Sequence, residues 1–284
     1  MAGLDPAIHR ARVGERKRVS GRIDMRRMDG RIKSGHDGNV AKLKPKPRWL
    51  HFLDFPRAGG DKARPMATLV KICGLNSVEA ADAAAHAGAD LAGLMFAARS
   101  PRFVRLDLAA MLANRLRGRA RIAAVFADAR DEEIEAALST VRPNFIQLHG
   151  GETPERAASI HARFGSSIIK AIAVAESGDL DKAAAYGDEV EMFLFDAKPP
   201  SNATREGGHG AAFDWQLLKG RKFARPWLLA GGLNPENVAR AIRACDAPGV
   251  DVSSGVETSP GVKSADMIRD FVGAARTAQL VSAP

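Results

Sequence analysis

From Ala67 onward, short apolar runs alternate with longer stretches in which apolar residues return every three or four positions. Short runs rich in Val, Ile, Leu and Phe and bounded by turn residues predict strands buried on both faces, and the stretches between them predict amphipathic helices. The strands fall at 68–73, 91–96, 121–126, 145–149, 168–173, 192–196, 226–230 and 249–253. Strand and helix in strict alternation imply βαβ units and a parallel sheet, and eight of them suit a (β/α)₈ barrel. Local punctuation agrees: Ser77 stands where an N-cap is wanted and Gly88 where a helix should stop, while Asn234 caps a helix with Pro235 in its first turn. An open doubly wound sheet is the competing architecture. It would want a GxGxxG turn after the first strand, which is missing, and the glycine-bearing loops instead follow the last two strands, where barrels carry them.

Residues 1–65 break this pattern. Their apolar positions follow neither period, as in the run from Gly30 to Gly38, so the segment cannot offset its ordering entropy by burial and is predicted to be a disordered extension, with the barrel at 66–284. It also holds 17 Lys and Arg against 7 Asp and Glu, so it carries the whole formal charge of +9 and leaves the rest of the chain near neutral. Met66 is a candidate start of translation. The alternative is a basic tail that touches RNA or anionic surfaces, but only Trp49, Phe52 and Phe55 offer stacking there, and nucleic acid is not the expected partner.

The remaining composition narrows the class. With 45% apolar residues in 284, a sizeable core is available. The two cysteines, Cys73 and Cys245, have neither zinc-ligand spacing nor the look of a disulfide framework, which fits a reducing cytoplasm. No run approaches the roughly 20 apolar residues of a membrane helix, and no secretory signal pattern opens the chain. A cytoplasmic protein without membrane contact is expected, as monomer or homodimer.

In a barrel the reacting groups stand at the C-terminal ends of strands and in the loops that follow. Cys73 ends the first strand; a cysteine there is either a nucleophile or base, or an inert small hydrophobe. Asp196 ends the apolar run Met192–Phe195, where a carboxylate loses hydration as a general acid needs, unless it only caps the next loop. Gly231 and Gly232 follow the seventh strand, and Ser253, Ser254 and Gly255 the eighth; glycines let backbone N–H groups approach an anion, and two such loops in tandem point to phosphate. A third cluster, Gly207-Gly208-His209-Gly210, precedes Phe213-Asp214-Trp215 in a loop long enough to cover a ligand. Arg102 could present its planar fork to a carboxylate or simply be solvated. His149, ending the fourth strand, reads as a supporting residue.

Together these residues resemble the phosphoribosylanthranilate isomerase family of tryptophan biosynthesis over essentially all of 66–284. The resemblance rests on Lys71-Ile72-Cys73-Gly74, Ser100-Pro101-Arg102, Gln147-Leu148-His149-Gly150, Asp196, the 207–210 cluster with Phe213-Asp214-Trp215, the run Gly231–Asn237 and the run Asp251–Glu257, in that order. It implies an Amadori rearrangement of N-(5-phosphoribosyl)anthranilate to 1-(2-carboxyphenylamino)-1-deoxyribulose 5-phosphate, with Cys73 as base, Asp196 as acid and no cofactor or metal, since the substrate nitrogen is the electron sink. It further implies that Arg102 holds the anthranilate carboxylate, that Gly208, His209, Gly210, Gly231, Gly232, Ser253, Ser254 and Gly255 hold the phosphate, and that Asp251 orients the substrate amine. His209 departs from the Ser or Thr usual in the family, and the 65-residue extension is a second departure. Two other phosphate-binding barrels compete. An indole-glycerol-phosphate synthase would want a lysine at the end of an early strand, but Lys71 precedes Cys73 too closely and would reach the opposite face only by a register shift. A ribulose-phosphate epimerase would want metal-ligating His and Asp residues, which His149 alone does not supply.

Overall fold

A computed structural model describes residues 68–198 and 213–278. The predicted extension 1–65, the candidate start Met66 and the cluster Gly207–Gly210 with His209 lie outside the described residues.

Eight strands, β1 (Leu69–Cys73), β2 (Leu91–Met95), β3 (Arg121–Phe126), β4 (Phe145–Leu148), β5 (Ser167–Val174), β6 (Val190–Ala197), β7 (Trp227–Leu229) and β8 (Gly249–Val252), form a closed barrel in sequence order. The ring closes where β1 pairs in parallel with β8, Lys71 opposite Asp251. Helices α1 (Val78–Ala87), α2 (Leu106–Leu116), α3 (Asp131–Val141), α4 (Pro154–Phe164), α5 (Val238–Cys245) and α6 (Ala265–Thr277) lie along the connections, and a short antiparallel pair, β9 (Glu257–Ser259) and β10 (Val262–Lys263), follows β8.

The predicted strands are all present, and their ends differ where pairing outruns the apolar pattern. β6 starts at Val190, ahead of the apolar run, because Val190 pairs with Ile168 and a register irregularity between Ile168 and Ile169 accommodates Glu191. Ser77 caps α1 through a bond from the Ala80 N–H, and Gly88 ends it with φ 80°. The Asn234 cap works differently from expectation. Its Oδ1 accepts from the N–H groups of Glu236 and Asn237 and closes a turn over Pro235, so regular helix begins only at Val238. After β5, a 3₁₀ helix at Ser177–Ala185 takes the place of an α-helix, fixed by Asp179 accepting from Ala175 and Glu176.

Strand alternation divides the core in two. Leu91, Phe145, Ile169, Met192, Leu194 and Leu228 belong to a small apolar cluster, distinct from the larger cluster that strand residues such as Val70 and Ile72 form with helix residues such as Leu112, Ile134 and Phe271. Each large aliphatic side chain so buried contributes about 1.5–3 kcal/mol. The buried polar residues Lys71, Gln147 and Asp251 interrupt the apolar strands.

Candidate active site

Cys73, Arg102, His149, Asp196, Asp251 and Ser253 line one pocket of about 500 Å³, counting space open to solvent. Every one of them lies at or just beyond the C-terminal end of a strand, as the barrel rule requires. Six of the sequence-predicted residues therefore share a pocket although they span 180 positions of the chain, whereas Gly231, Gly232, Ser254 and Gly255 of the two glycine loops are not among its lining residues.

Cys73 is buried at the end of β1, opposite Gly93 of β2. A Cβ on Gly93 would come within 2.8 Å of the Cys73 Sγ and 3.2 Å of the Lys71 Nζ, so thiol and ammonium converge over a glycine that must stay bare. Residues two apart on a strand share a face, and Lys71 lies on the same side as Cys73, wholly buried, its Nζ 2.8 Å from the Asp251 Oδ1. Burial opposes the ammonium, yet the Asp251 and Cys73 charges outweigh it and raise the Lys71 pKa above the ordinary lysine value. Burial also pushes the Cys73 thiol up, with Asp251 adding to the effect and the Lys71 and Lys263 cations drawing it partly back. Asp251 thus has a protein partner in Lys71 before any substrate amine.

Asp196 is not sealed among the phenylalanines that precede it. Its side chain is 22% exposed at the pocket, and it accepts from the Ala197 N–H at 2.9 Å. His149 Nε2 stands 3.2 Å from the Asp196 Oδ2, and the Gln147 Nε2 lies 3.0 Å from the His149 Nδ1. With the Gln147 amide donating to Nδ1, the imidazole proton sits on Nε2, the nitrogen nearer Asp196. His149, which the sequence suggests as a supporting residue, thus stands beside Asp196.

Arg102, far from solvated, is 3% exposed. Its Nε and Nη2 bind both oxygens of Glu257 at 2.7 and 2.8 Å. Glu257, Lys71 and Lys263 are the residues of this site that sequence reasoning missed; two of the three already stood inside motifs, but nothing local named their partners.

The two glycine loops pack tightly. A Cβ on Gly255 would fall 1.8 Å from the Leu233 carbonyl oxygen, and one on Gly231, whose φ is 86°, 2.6 Å from the Ala197 nitrogen. Asn237 Nδ2 donates to the Gly232 carbonyl at 2.9 Å and pins the loop. The N–H groups of Gly231 and Gly232 have no partner among the described residues. Ser253 Oγ donates to the Cys73 carbonyl at 3.2 Å, which ties the loop after β8 to the end of β1. No cluster of His, Cys, Asp and Glu suited to a metal occurs among the described residues.

The sequence profile of the family described as N-(5'-phosphoribosyl)anthranilate (PRA) isomerase matches residues 70–274. The chain belongs to this family. An N-(5'-phosphoribosyl)anthranilate isomerase of Rhodopseudomonas palustris is 50% identical over 213 residues, covering 75% of this chain and 100% of the relative. Another from Paracoccus denitrificans is 50% identical over 210 residues, 74% of this chain and 98% of that protein. Among solved structures, the phosphoribosyl anthranilate isomerase of Thermotoga maritima matches with a TM-score of 0.66 and 36% identity, covering 73% of this chain and 98% of that one. A second isomerase structure, in complex with reduced 1-(o-carboxyphenylamino)-1-deoxyribulose 5-phosphate, matches with a TM-score of 0.63 and 34% identity, again covering 73% and 98%. The family and its barrel are those expected from the motifs. Among the described residues no helix is long and apolar enough to cross a membrane.

Proposed function

We infer that Cys73 and Asp196 divide between them the proton transfers of the family's aldose–ketose isomerisation, in which N-(5-phosphoribosyl)anthranilate becomes 1-(2-carboxyphenylamino)-1-deoxyribulose 5-phosphate on the way to tryptophan. The observation that carries this reading is the presence of both side chains in one pocket, each at the end of its strand.

Asp196, protonated, gives its proton to the furanose ring oxygen while the anilinic nitrogen lone pair breaks the C1′–O bond and leaves an iminium. That cation makes the C2′ proton acidic, and the Cys73 thiolate removes it. The C–H electron pair forms the C1′–C2′ double bond, the nitrogen recovers its lone pair, and the enolamine tautomerises to the ketone by gaining a proton at C1′. Burial disfavours a thiolate, but the substrate cation arises in the same pocket and compensates it when the base is needed. His149, with its Nε2 3.2 Å from the carboxyl, supports Asp196.

Arg102 takes the anthranilate carboxylate, and the backbone of 208–210, 231–232 and 253–255 takes the phosphate, with His209 adding a contact if its imidazole is protonated. Asp251 orients the substrate amine while paired to Lys71. No metal or cofactor enters these steps. The catalytic unit is the barrel at 66–284, without need of the basic extension. Thermotoga maritima has a dimeric isomerase from which monomers have been made; a monomer or a homodimer serves here, because every described site residue comes from one barrel.

The deciding experiment is complementation of a tryptophan auxotroph that lacks the isomerase. Growth is expected, with residues 66–284 as well as with the full chain, and no growth from well-expressed protein would refute the proposed substrate.

A further inference from the structure

Glu257 ends the run that follows β8, and its carboxylate is the hub of a buried ionic network beside the pocket. Arg102 meets it edge-on, Nε to Oε1 at 2.7 Å and Nη2 to Oε2 at 2.8 Å. Lys263 donates to the same Oε1 at 2.7 Å and to the Ser253 carbonyl at 2.9 Å. The Gly261 N–H adds a bond to Oε2 at 3.3 Å. Burial opposes ionisation of Glu257, but the Arg102 hydrogen bonds and the Lys263 charge outweigh it and hold the carboxyl below the ordinary glutamate value.

A guanidinium offers five N–H donors along two usable edges, one through Nε and Nη2 and one through Nη1 and Nη2. Glu257 takes the first edge. Among the described residues nothing takes the second, and Arg102 lines the pocket. The arginine is also held along its stem, since a Cβ on Gly74 would lie 2.5 Å from the Arg102 Cδ. The β9–β10 turn presses on the same loop, where a Cβ on Gly261 would lie 2.5 Å from the Pro101 carbonyl oxygen. Stem and loop are fixed by bare glycines, and the carboxylate of Glu257 fixes the rotation of the head.

We propose that Glu257, backed by Lys263, is a positioning residue that holds one edge of Arg102 so that the other meets the aromatic carboxylate of the substrate. This rests on the reading of Arg102 as the carboxylate-holding residue. The substrate and Glu257 then use different edges of one guanidinium and do not compete. Through Lys263 and Ser253 the same carboxylate joins the holder of the aromatic end to the loop proposed for the phosphate end.

The test compares two ligands by calorimetry: reduced 1-(o-carboxyphenylamino)-1-deoxyribulose 5-phosphate and its analogue with a plain phenyl ring. Their affinity ratio reports carboxylate recognition alone, because a variant that merely loosens the fold weakens both ligands together. Glu257→Gln is expected to lower the ratio about tenfold, in keeping with the loss of a charge-assisted contact, and to raise KM with kcat near the wild-type value. A ratio unchanged in Glu257→Gln but abolished in Arg102→Met would overturn the positioning role and leave the reading of Arg102 standing. A ratio unchanged in Arg102→Met would overturn that reading, and the role of Glu257 with it. If Glu257→Gln does not fold, Glu257→Asp, which keeps the charge but withdraws the carboxylate by one methylene, is judged by the same ratio.

Discussion

His149 Nε2 lies 3.2 Å from the Asp196 Oδ2, at the end of a relay that begins with the buried amide of Gln147. Gln147 holds the imidazole at Nδ1 and so sets where Nε2 stands beside the Asp196 carboxyl. Gln147→Leu removes the donor to Nδ1, frees the tautomer and should lower kcat about tenfold with KM little changed. Steady-state kinetics checks this; a raised KM at constant kcat would assign Gln147 to substrate binding instead.

Cys73→Ala and Asp196→Asn should each lower turnover by about 10²–10⁴-fold while leaving the affinity for phosphorylated product analogue largely intact. Near-normal turnover in either variant removes that residue from the mechanism. The double variant should lose little more than the worse single one, because acid and base act in one reaction sequence.

The thiols should differ in chemistry. Burial pushes Cys245 up to about 12, and as the last residue of α5 it is only 2% exposed, so it stays inert in the native protein. Cys73 is also pushed above the ordinary thiol value, but it faces the pocket. The rate of inactivation by iodoacetamide should therefore rise about tenfold per pH unit from about pH 7 to 9 without a plateau, since only the thiolate reacts. Lys71→Met removes a cation that favours the thiolate and should slow the reaction at every pH in that range. Mass spectrometry locates the label.

Gly93→Ala would put a methyl group against both the Cys73 Sγ and the Lys71 Nζ. Overpacking of this kind costs about 1–3 kcal/mol, measurable by urea unfolding, and kcat should fall further than stability explains. A variant with wild-type kcat would show that Cys73 tolerates displacement.

On the face of β5 that it shares with Ile168 and Ile172, Lys170 pairs with Glu152 at 2.8 Å and donates to the Gly150 carbonyl at 2.8 Å, with both side chains 4% exposed. Lys170→Met leaves a buried carboxylate unpaired and should destabilise the barrel by about 3–5 kcal/mol. It should also loosen the loop that carries His149. Denaturant unfolding monitored by tryptophan fluorescence gives the number.

Much of this is legible in the sequence. The barrel followed from run length and alternation, because a strand buried on both faces must be apolar and a helix on its surface must be striped. Cys73, Asp196 and the glycine loops could be found because their position at strand ends is itself a local signal. Lys71 and Glu257 could not. A lysine within an apolar strand looks like a flaw in the pattern until its counterion is known, and that counterion, Asp251, is 180 residues away. Sequence alone leaves Arg102 between a solvated and a ligand-holding state, since its burial depends on Glu257, 155 residues away at the start of the β9–β10 pair. The start of α5 shifted because Asn234 and Asn237 satisfy each other's backbone groups, a reciprocal arrangement that single-residue cap preferences do not encode.

The closure of the barrel between β1 and β8 has a consequence for how the protein comes into being. A ribosome delivers Lys71 and Cys73 near the start of the described chain and Asp251 and Ser253 near its end, so the Lys71 ammonium is synthesised long before its counterion. Until the last strand docks, the first carries an ammonium group with no counterion. The working pocket is therefore among the last things the nascent chain completes, and a product truncated after β7 would hold both Cys73 and Asp196 yet leave Lys71 without its counterion.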